Sequence, residues 1–421
     1  MTLPAPAQLA TWSIAALSVA GVILRPWRVP EALWALLGAC ALVLLGLVPA
    51  GEAVAAVARG TDVYLFLAGM MLMSELARRE GLFDFLAAHA VRLARGSAIR
   101  MFVLAYAIGT LVTVFMSNDA TAVVLTPAVY AAARHARARP LPYLFACAFI
   151  ANAASFVLPI SNPANLVVFD GHMPTLSRWL AMFALPSLLA IVATFVVHWW
   201  LDRAGLRDPI ASSIPVPRLS RAGATTGYGI ACVAIALLLA SALGTPLGAP
   251  TLAVTSTVAL VVLAGKRESP WPMLKGVSWG VLALVAGLFV LVQGLQRTGV
   301  VPALSASLQW AAGTASVGAT AWVAGICVAI ACNLVNNLPM GLIAGSAVNA
   351  AHVDPAIQGA ITIAVDLGPN LSVTGSLATI LWLTALRREG IEVSAWQFLK
   401  FGMLVMPVAL MLAIAALLLA G

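Results

Sequence analysis

Long apolar runs broken by short polar clusters give this chain its pattern. A run of about 20 apolar residues fits a helix that crosses a bilayer, and the breakers between runs mark where one element ends and the next begins. Helices are predicted at about 9–25, 31–49 and 62–78, followed by an amphipathic stretch near 81–95. The segment 98–135 is interrupted in its middle by Ser117-Asn118-Asp119, and a helix from about 141 is interrupted at Ser161-Asn162-Pro163. A span at 178–201 closes the first half. Beyond the polar, proline-containing stretch LDRAGLRDPIASSIPVPRLSR the order repeats, with helices near 224–243, 249–265 and 276–297 and a weakly polar connector near 299–315. Segment 316–349 is then broken at Asn336-Asn337, a helix from about 354 is broken at Asp366-Leu367-Gly368-Pro369-Asn370, and 394–419 is the last span.

The repetition has a fixed offset. A shift of 218 positions carries Asn118 onto Asn336, Gly69 onto Gly287, Glu75 onto Gln293, Arg79 onto Arg297 and Gly81 onto Gly299. The chain therefore divides into a first repeat over 1–200 (hairpin 98–135, broken helix 141–170), a linker at 201–221 and a second repeat over 222–421 (hairpin 316–349, broken helix 354–386). Charge supplies the orientation. If 98–135 enters and leaves on one side, the clusters Arg25/Arg28, Arg78/Arg79, Arg92/Arg95/Arg100, Arg134/Arg137/Arg139, Arg203/Arg207/Arg218/Arg221, Lys266/Arg267/Lys275 and Arg387/Arg388/Lys400 share one face. Only Arg59, Arg178 and Arg297 fall on the other, so the positive-inside rule makes the first face cytoplasmic and puts both termini outside. The halves are then inverted, one hairpin entering from each side. The expected fold is an all-α polytopic membrane protein of two inverted repeats.

Composition changes the picture mainly by exclusion. A chain of 421 residues that is 62% hydrophobic and 9% charged is no soluble globule, since soluble domains run at about 25% charged residues. Its formal charge of +8 lies in short loops between spans, which argues against nucleic acid as a partner. No cleavable signal peptide is evident. Cys40, Cys147, Cys232, Cys327 and Cys332 lie in or beside apolar helices without CxxC or Cys/His spacing, so neither a disulfide framework nor a metal site is expected.

The polar breaks carry the chemistry. Breaking a helix inside a bilayer frees N–H and C=O groups, which only protein or a water-filled cavity can satisfy. Broken helices meeting near the midplane form the substrate site in many carriers. The candidate lining is Asn118, Ser161, Asn162, Asn165, Asn336, Asn337, Gly368, Asn370, Thr374 and Ser376. Amides and hydroxyls both donate and accept, and no Lys or Arg lies within the breaks, which suits a small neutral polyhydroxylated solute or a partly desolvated ion better than a dianion. A single Asn serves equally well as an interhelical clamp, but four breaks in duplicate favour a site. Asp119 and Asp366 are the acids within the breaks and the candidates for proton coupling. Asp119 also suits a helix cap, and Asp366 suits a brace for broken backbone. Glu75, beside Arg78 and Arg79, reads as a solvated ion pair at a span end. His89, His135, His172, His198 and His352 fall near loops or helix ends and read as interface residues. Cys332, one turn before Asn336, reads first as a small buried apolar residue and second as a soft ligand.

The segments MSNDATAVVLTP, ISNPANLVVFD, NLVNNLPMGLIAG and, most specifically, DLGPNLSVTGSLATILWL resemble the ArsB-type arsenite permeases of the ion transporter superfamily. The resemblance covers essentially the whole chain. It implies about ten spanning helices with two re-entrant hairpins in a bacterial inner membrane. It also implies export of arsenite and antimonite as neutral trihydroxides, driven by proton entry, with no cofactor and in some members a soluble ATPase on the cytoplasmic face. The family pattern often carries Lys after Gly-Pro, where this chain has Asn370. The expected function is therefore secondary efflux of arsenite and antimonite, not catalysis. Expected partners are these solutes, protons, the lipid bilayer, a cytoplasmic arsenite-stimulated ATPase and a second copy in a homodimer. The alternatives are a sodium–proton or dicarboxylate/citrate exchanger of the same superfamily, or a non-transporting membrane anchor for an ATPase. Dicarboxylate carriers show Ser-Asn-Thr at the hairpin tips, where this chain has Ser-Asn-Asp and Asn-Asn-Leu.

Overall fold

In hydrocarbon a backbone must satisfy its own hydrogen bonds, and an apolar chain does so by folding as helix. The computed structural model describes residues 5–169, 173–212 and 214–420, the side chain of Arg28 excepted. His172 lies outside the described residues. Apart from one isolated bridge between Ser97 and Pro209, the described residues form helices, turns and irregular loops. Eight helices are long and apolar enough to span a membrane, or nine with the bent pair Ala50–Arg59 and Thr61–Arg79, against about ten expected. Two apolar helices, Glu31–Leu44 and Leu141–Ala153, are shorter.

The repeated order is visible in the elements. Hairpin one comprises Ala98–Phe115 and Thr126–His135 with a π-helical stretch at Ala120–Leu125, and hairpin two comprises Val317–Val335 and Asn337–Ala351. The first broken helix is Leu141–Ala153 followed by Pro163–Phe169, and the second is Pro355–Leu367 followed by Leu377–Arg388. Each half ends in a long helix, Leu176–Asp202 and Ala395–Ala420. These two pack against each other in opposite directions: the His198 and Phe401 rings lie 6.3 Å apart at one end, while Met182 and Leu417 both touch Gly359 toward the other.

The remaining helices exchange partners between halves, and glycine makes this possible. A Cβ on Gly69 would lie 2.9 Å from the backbone of Thr251 and Leu252, and one on Gly287 would lie 2.8 Å from the backbone of Ala35. These repeat mates therefore let helix Thr61–Arg79 close onto Gly248–Lys266, and Gly280–Arg297 onto Glu31–Leu44. Polar ties follow the same exchange. Glu52, on a helix the sequence pattern did not predict (Ala50–Arg59), takes a 2.5 Å bond from Arg297 and a 3.1 Å bond from Gln293. At the opposite end Met273 of Trp271–Gly276 joins Leu72 and Leu76 in one apolar cluster. Glu75 departs from expectation: it is buried and held by Arg78 at 2.6 and 2.8 Å, because Gly276 has no side chain to occupy the space its carboxylate fills.

The linker 201–221 lies against the first half, with Leu206 buried and backbone bonds from Ile210 to Gly96 at 3.1 Å and from Ala211 to Ala136 at 2.8 Å. His198 also departs from expectation. It is fully buried among Phe102, Phe149 and Phe401 and bonded to Asp202 at 2.9 Å.

The close approach at Gly287 gives a signed prediction. Gly287→Ala places a methyl against backbone that cannot yield cheaply, and should lower the melting temperature of the detergent-purified protein, as overpacking by about 1–3 kcal/mol does. Gly51→Ala, a helical position with open space around it, should leave it unchanged or raise it through a gain of up to about 1 kcal/mol in helix propensity. Fluorescence-detected size exclusion after heating reads both, and equal effects would refute the packing argument.

Candidate functional site

Each break exposes helix-terminal N–H groups, and a nearby side chain caps them. At the first tip Ser117 Oγ accepts from Ala120 N–H at 3.1 Å and Asn118 Oδ1 from Asp119 N–H at 2.9 Å. At the second, Asn336 Oδ1 accepts from Leu338 N–H at 3.4 Å while its Nδ2 donates to the Thr374 carbonyl at 3.1 Å. Asn336 holds φ 76° and ψ 152°, a region that normally admits only glycine and costs about 1–3 kcal/mol elsewhere. Asn162 Oδ1 takes Ala164 N–H at 3.0 Å, and Ser376 Oγ takes Ala378 N–H at 3.1 Å. The positional counterpart of Asn162 is thus Ser376.

All four breaks converge on one narrow crevice with room for little more than a water molecule. Asn118 and Asp119, Asn162 and Pro163, Asn337 and Leu338, and Ser376 to Ala378 line it, with Leu67 and Val281 added from the flanking spans. Among the described residues no Lys or Arg contributes to the lining, and Asp119 is its one ionisable side chain. The N-termini of Asn337–Ala351 and Leu377–Arg388 begin at this lining, and their dipoles favour electron-rich oxygen.

The other expected site residues stand around this crevice. Asp366 is fully buried one hydrogen bond behind it: Asn162 Nδ2 donates to Asp366 Oδ1 at 2.5 Å, and Oδ2 has no partner among the described residues. Ser161 ties the first break to hairpin one through the Val114 carbonyl at 3.1 Å. Asn336 is the strained cap just described. Asn165 points away, with Nδ2 on the Ser155 carbonyl at 2.9 Å. Gly368 lies against the backbone of Ala329, and Thr374 Oγ1 donates to the Asn333 carbonyl at 2.8 Å. Asn370 is fully buried, with Nδ2 on the Phe149 carbonyl at 3.1 Å. Cys332 is buried outside the lining.

Two residues missed by sequence reasoning complete the framework. Asn152 Nδ2 donates to Asn370 Oδ1 at 2.9 Å, and the two positions are 218 apart. The bond joins the helix Leu141–Ala153 to the turn Gly368–Asn370 at two positions that the sequence offset pairs. The offset itself would have found Asn152. Asn333 is the second: its Nδ2 bonds the carbonyls of Ala329 at 2.8 Å and Gly368 at 2.9 Å, and its Oδ1 takes Ser372 Oγ at 2.7 Å. It opens the polar run NLVNN on the same helix as the second tip.

Comparison with known proteins gives the family and the fold. The sequence profile of the CitMHS family, described as citrate transporter, matches residues 19–366. An arsenical pump membrane protein of Escherichia coli K12 is 28% identical over 368 residues, 83% of this chain and 84% of that protein. Its Yersinia enterocolitica namesake is 27% identical over 367 residues, with the same 83% and 84% coverage. The crystal structure of the Alcanivorax borkumensis YdaH transporter superposes at a TM-score of 0.57 and 16% identity, over 87% of this chain and 86% of that one, a likeness of fold.

Two outcomes follow from the clamps. Asn336→Gly keeps the permitted backbone and loses only the amide, so it should retain more thermal stability than Asn336→Ala, which loses the amide and keeps the strain. A double-mutant cycle of Asn152→Ala and Asn370→Ala should be non-additive by at least about 0.5 kcal/mol, because either single change orphans the same buried bond. Additive shifts would separate the two residues.

Proposed function

Because the chain belongs to the CitMHS citrate transporter family, we propose that this membrane transporter is a secondary carrier that exports arsenite and antimonite as neutral trihydroxides across the bacterial inner membrane in exchange for protons. The observation that carries this reading is the convergence of four polar breaks on a crevice with amides, a hydroxyl, one carboxylate and no cation. Three hydroxyls on a small centre match donors and acceptors in equal measure. The names of the arsenical pump relatives point the same way. The family description favours a second reading, an organic-anion carrier. A citrate-sized polyanion beside Asp119 would need cations that the lining does not supply.

In the proposed cycle Asn118, Asn162, Asn337 and Ser376 contact the solute, and Asn336, Asn165, Asn370, Thr374, Gly368 and Ser161 hold the lining in place. Asp119 in the crevice and Asp366 one amide behind it carry protons. The inverted insertion of the halves, both termini on the periplasmic side, a docked cytoplasmic ATPase and a homodimer belong to the same proposal. Uptake of arsenite into everted vesicles under an imposed pH gradient tests it. Asn118→Ala should lower uptake at least about tenfold, the cost of one buried hydrogen bond of about 1.4 kcal/mol. Asp119→Asn and Asp366→Asn should each abolish the response to the gradient. Citrate and succinate in excess should not compete. If both Asp variants kept full gradient-driven uptake, the proton assignment would be wrong, and competition by citrate would move the protein to the organic-anion class.

A further inference from the structure

Four cation–aromatic pairs stand at helix ends: Arg134 over Tyr130 at 5.7 Å, Arg203 over Trp200 at 5.3 Å, Lys275 over Trp271 at 6.0 Å and Lys400 over Trp396 at 5.4 Å. All four cations belong to the face that the charge partition makes cytoplasmic. Two of the pairs converge. Trp200–Arg203 ends the helix Leu176–Asp202, Trp396–Lys400 begins Ala395–Ala420, and these helices meet at that end through His198 and Phe401. The Arg134 pair flanks them, because Tyr130 Oη donates to the Glu389 carbonyl at 3.4 Å in the turn leading into Ala395–Ala420.

Arg134, Arg203 and Lys400 are exposed, and none enters an ion pair among the described residues. The acids nearby do not neutralise them: Asp202 is held by His198, and exposed Glu389 and Glu392 share their turn with Arg387 and Arg388. Each helix also presents an exposed apolar ridge leading away from its Trp–cation pair, Leu188, Val192 and Val196 on one and Leu404, Val408 and Met411 on the other. Tryptophan seats at the headgroup level of a bilayer, and a cation over its ring is attracted by the ring's negative face.

We propose that this end of the paired long helices is a binding site for one anionic phospholipid of the cytoplasmic leaflet, its phosphate between Arg203 and Lys400 and its acyl chains on the two ridges. The cations fit the phosphate, the indoles fit the glycerol level, and the ridges fit hydrocarbon. A free anion would use only the first of these. The proposal goes beyond the transport reading and is independent of which solute is carried.

The test uses the full-length protein in detergent with added phosphatidylglycerol, phosphatidylcholine or inorganic phosphate, read by native mass spectrometry and by melting temperature. Phosphatidylglycerol should be retained in preference to phosphatidylcholine and should raise the melting temperature. In Arg203→Gln/Lys400→Gln the preference should fall about fivefold per cation removed, with behaviour in phosphatidylcholine unchanged. Trp200→Leu/Trp396→Leu, which keeps apolar bulk, should also lose preference. Equal retention of the two lipids, or a double cation variant with full preference, would overturn the site. So would a shift reproduced by inorganic phosphate alone, which would assign the patch to a soluble anion.

Discussion

The structure depends on one constraint: every helix broken at membrane depth releases backbone groups that have no water to turn to. Leaving one buried amide unpaired costs about 1–3 kcal/mol, more than the roughly 0.6 kcal/mol average of a hydrogen bond between membrane helices. Satisfying freed backbone therefore ranks ahead of gluing helices together. The asparagines divide along this line. Asn165, Asn333 and Asn370 give their donors to carbonyls of broken segments, at Ser155, at Ala329 and Gly368, and at Phe149. Those amides are committed to backbone. Asn118 and Asn337 line the crevice with no such donation among the described bonds, and in the proposed cycle these amides are free to contact the solute.

That division explains what the sequence makes legible. Apolar period and polar breakers are local signals, and the helices Ala98–Phe115, Val317–Val335 and Pro355–Leu367 begin within a few residues of where the sequence places them. Direction of a side chain is a tertiary property. Asn370 reads as a ligand because it sits in a break, yet its partner Asn152 closes the apolar helix Leu141–Ala153, ahead of the Ser161-Asn162-Pro163 cluster by which the sequence marks the break. Asn162 and Ser376 occupy equivalent caps although the residues differ, since a helix N-terminus accepts either oxygen. Unequal connections between tip and break hide that equivalence from a fixed offset. Burial of Glu75 beneath Gly276, and of His198 within three aromatic rings, depends on which helices meet, which one chain's periodicity does not state.

The two acids of the breaks are not repeat mates, and their settings differ accordingly. Asp119 stands in the crevice where the second half has Asn337, while Asp366 corresponds by the offset to Ala148 and lies behind Asn162. Asn162 is the link between them. Its Oδ1 is fixed by the Ala164 N–H, so its Nδ2 is left to face Asp366. An amide anchored at both ends cannot turn toward a solute without releasing the cap, the acid, or both. In the proposed cycle, contact between solute and Asn162 therefore changes the hydrogen bonding of Asp366, whose second oxygen already lacks a partner. In that cycle, occupancy of the crevice and the proton proposed for Asp366 are linked through the Asn162 side chain.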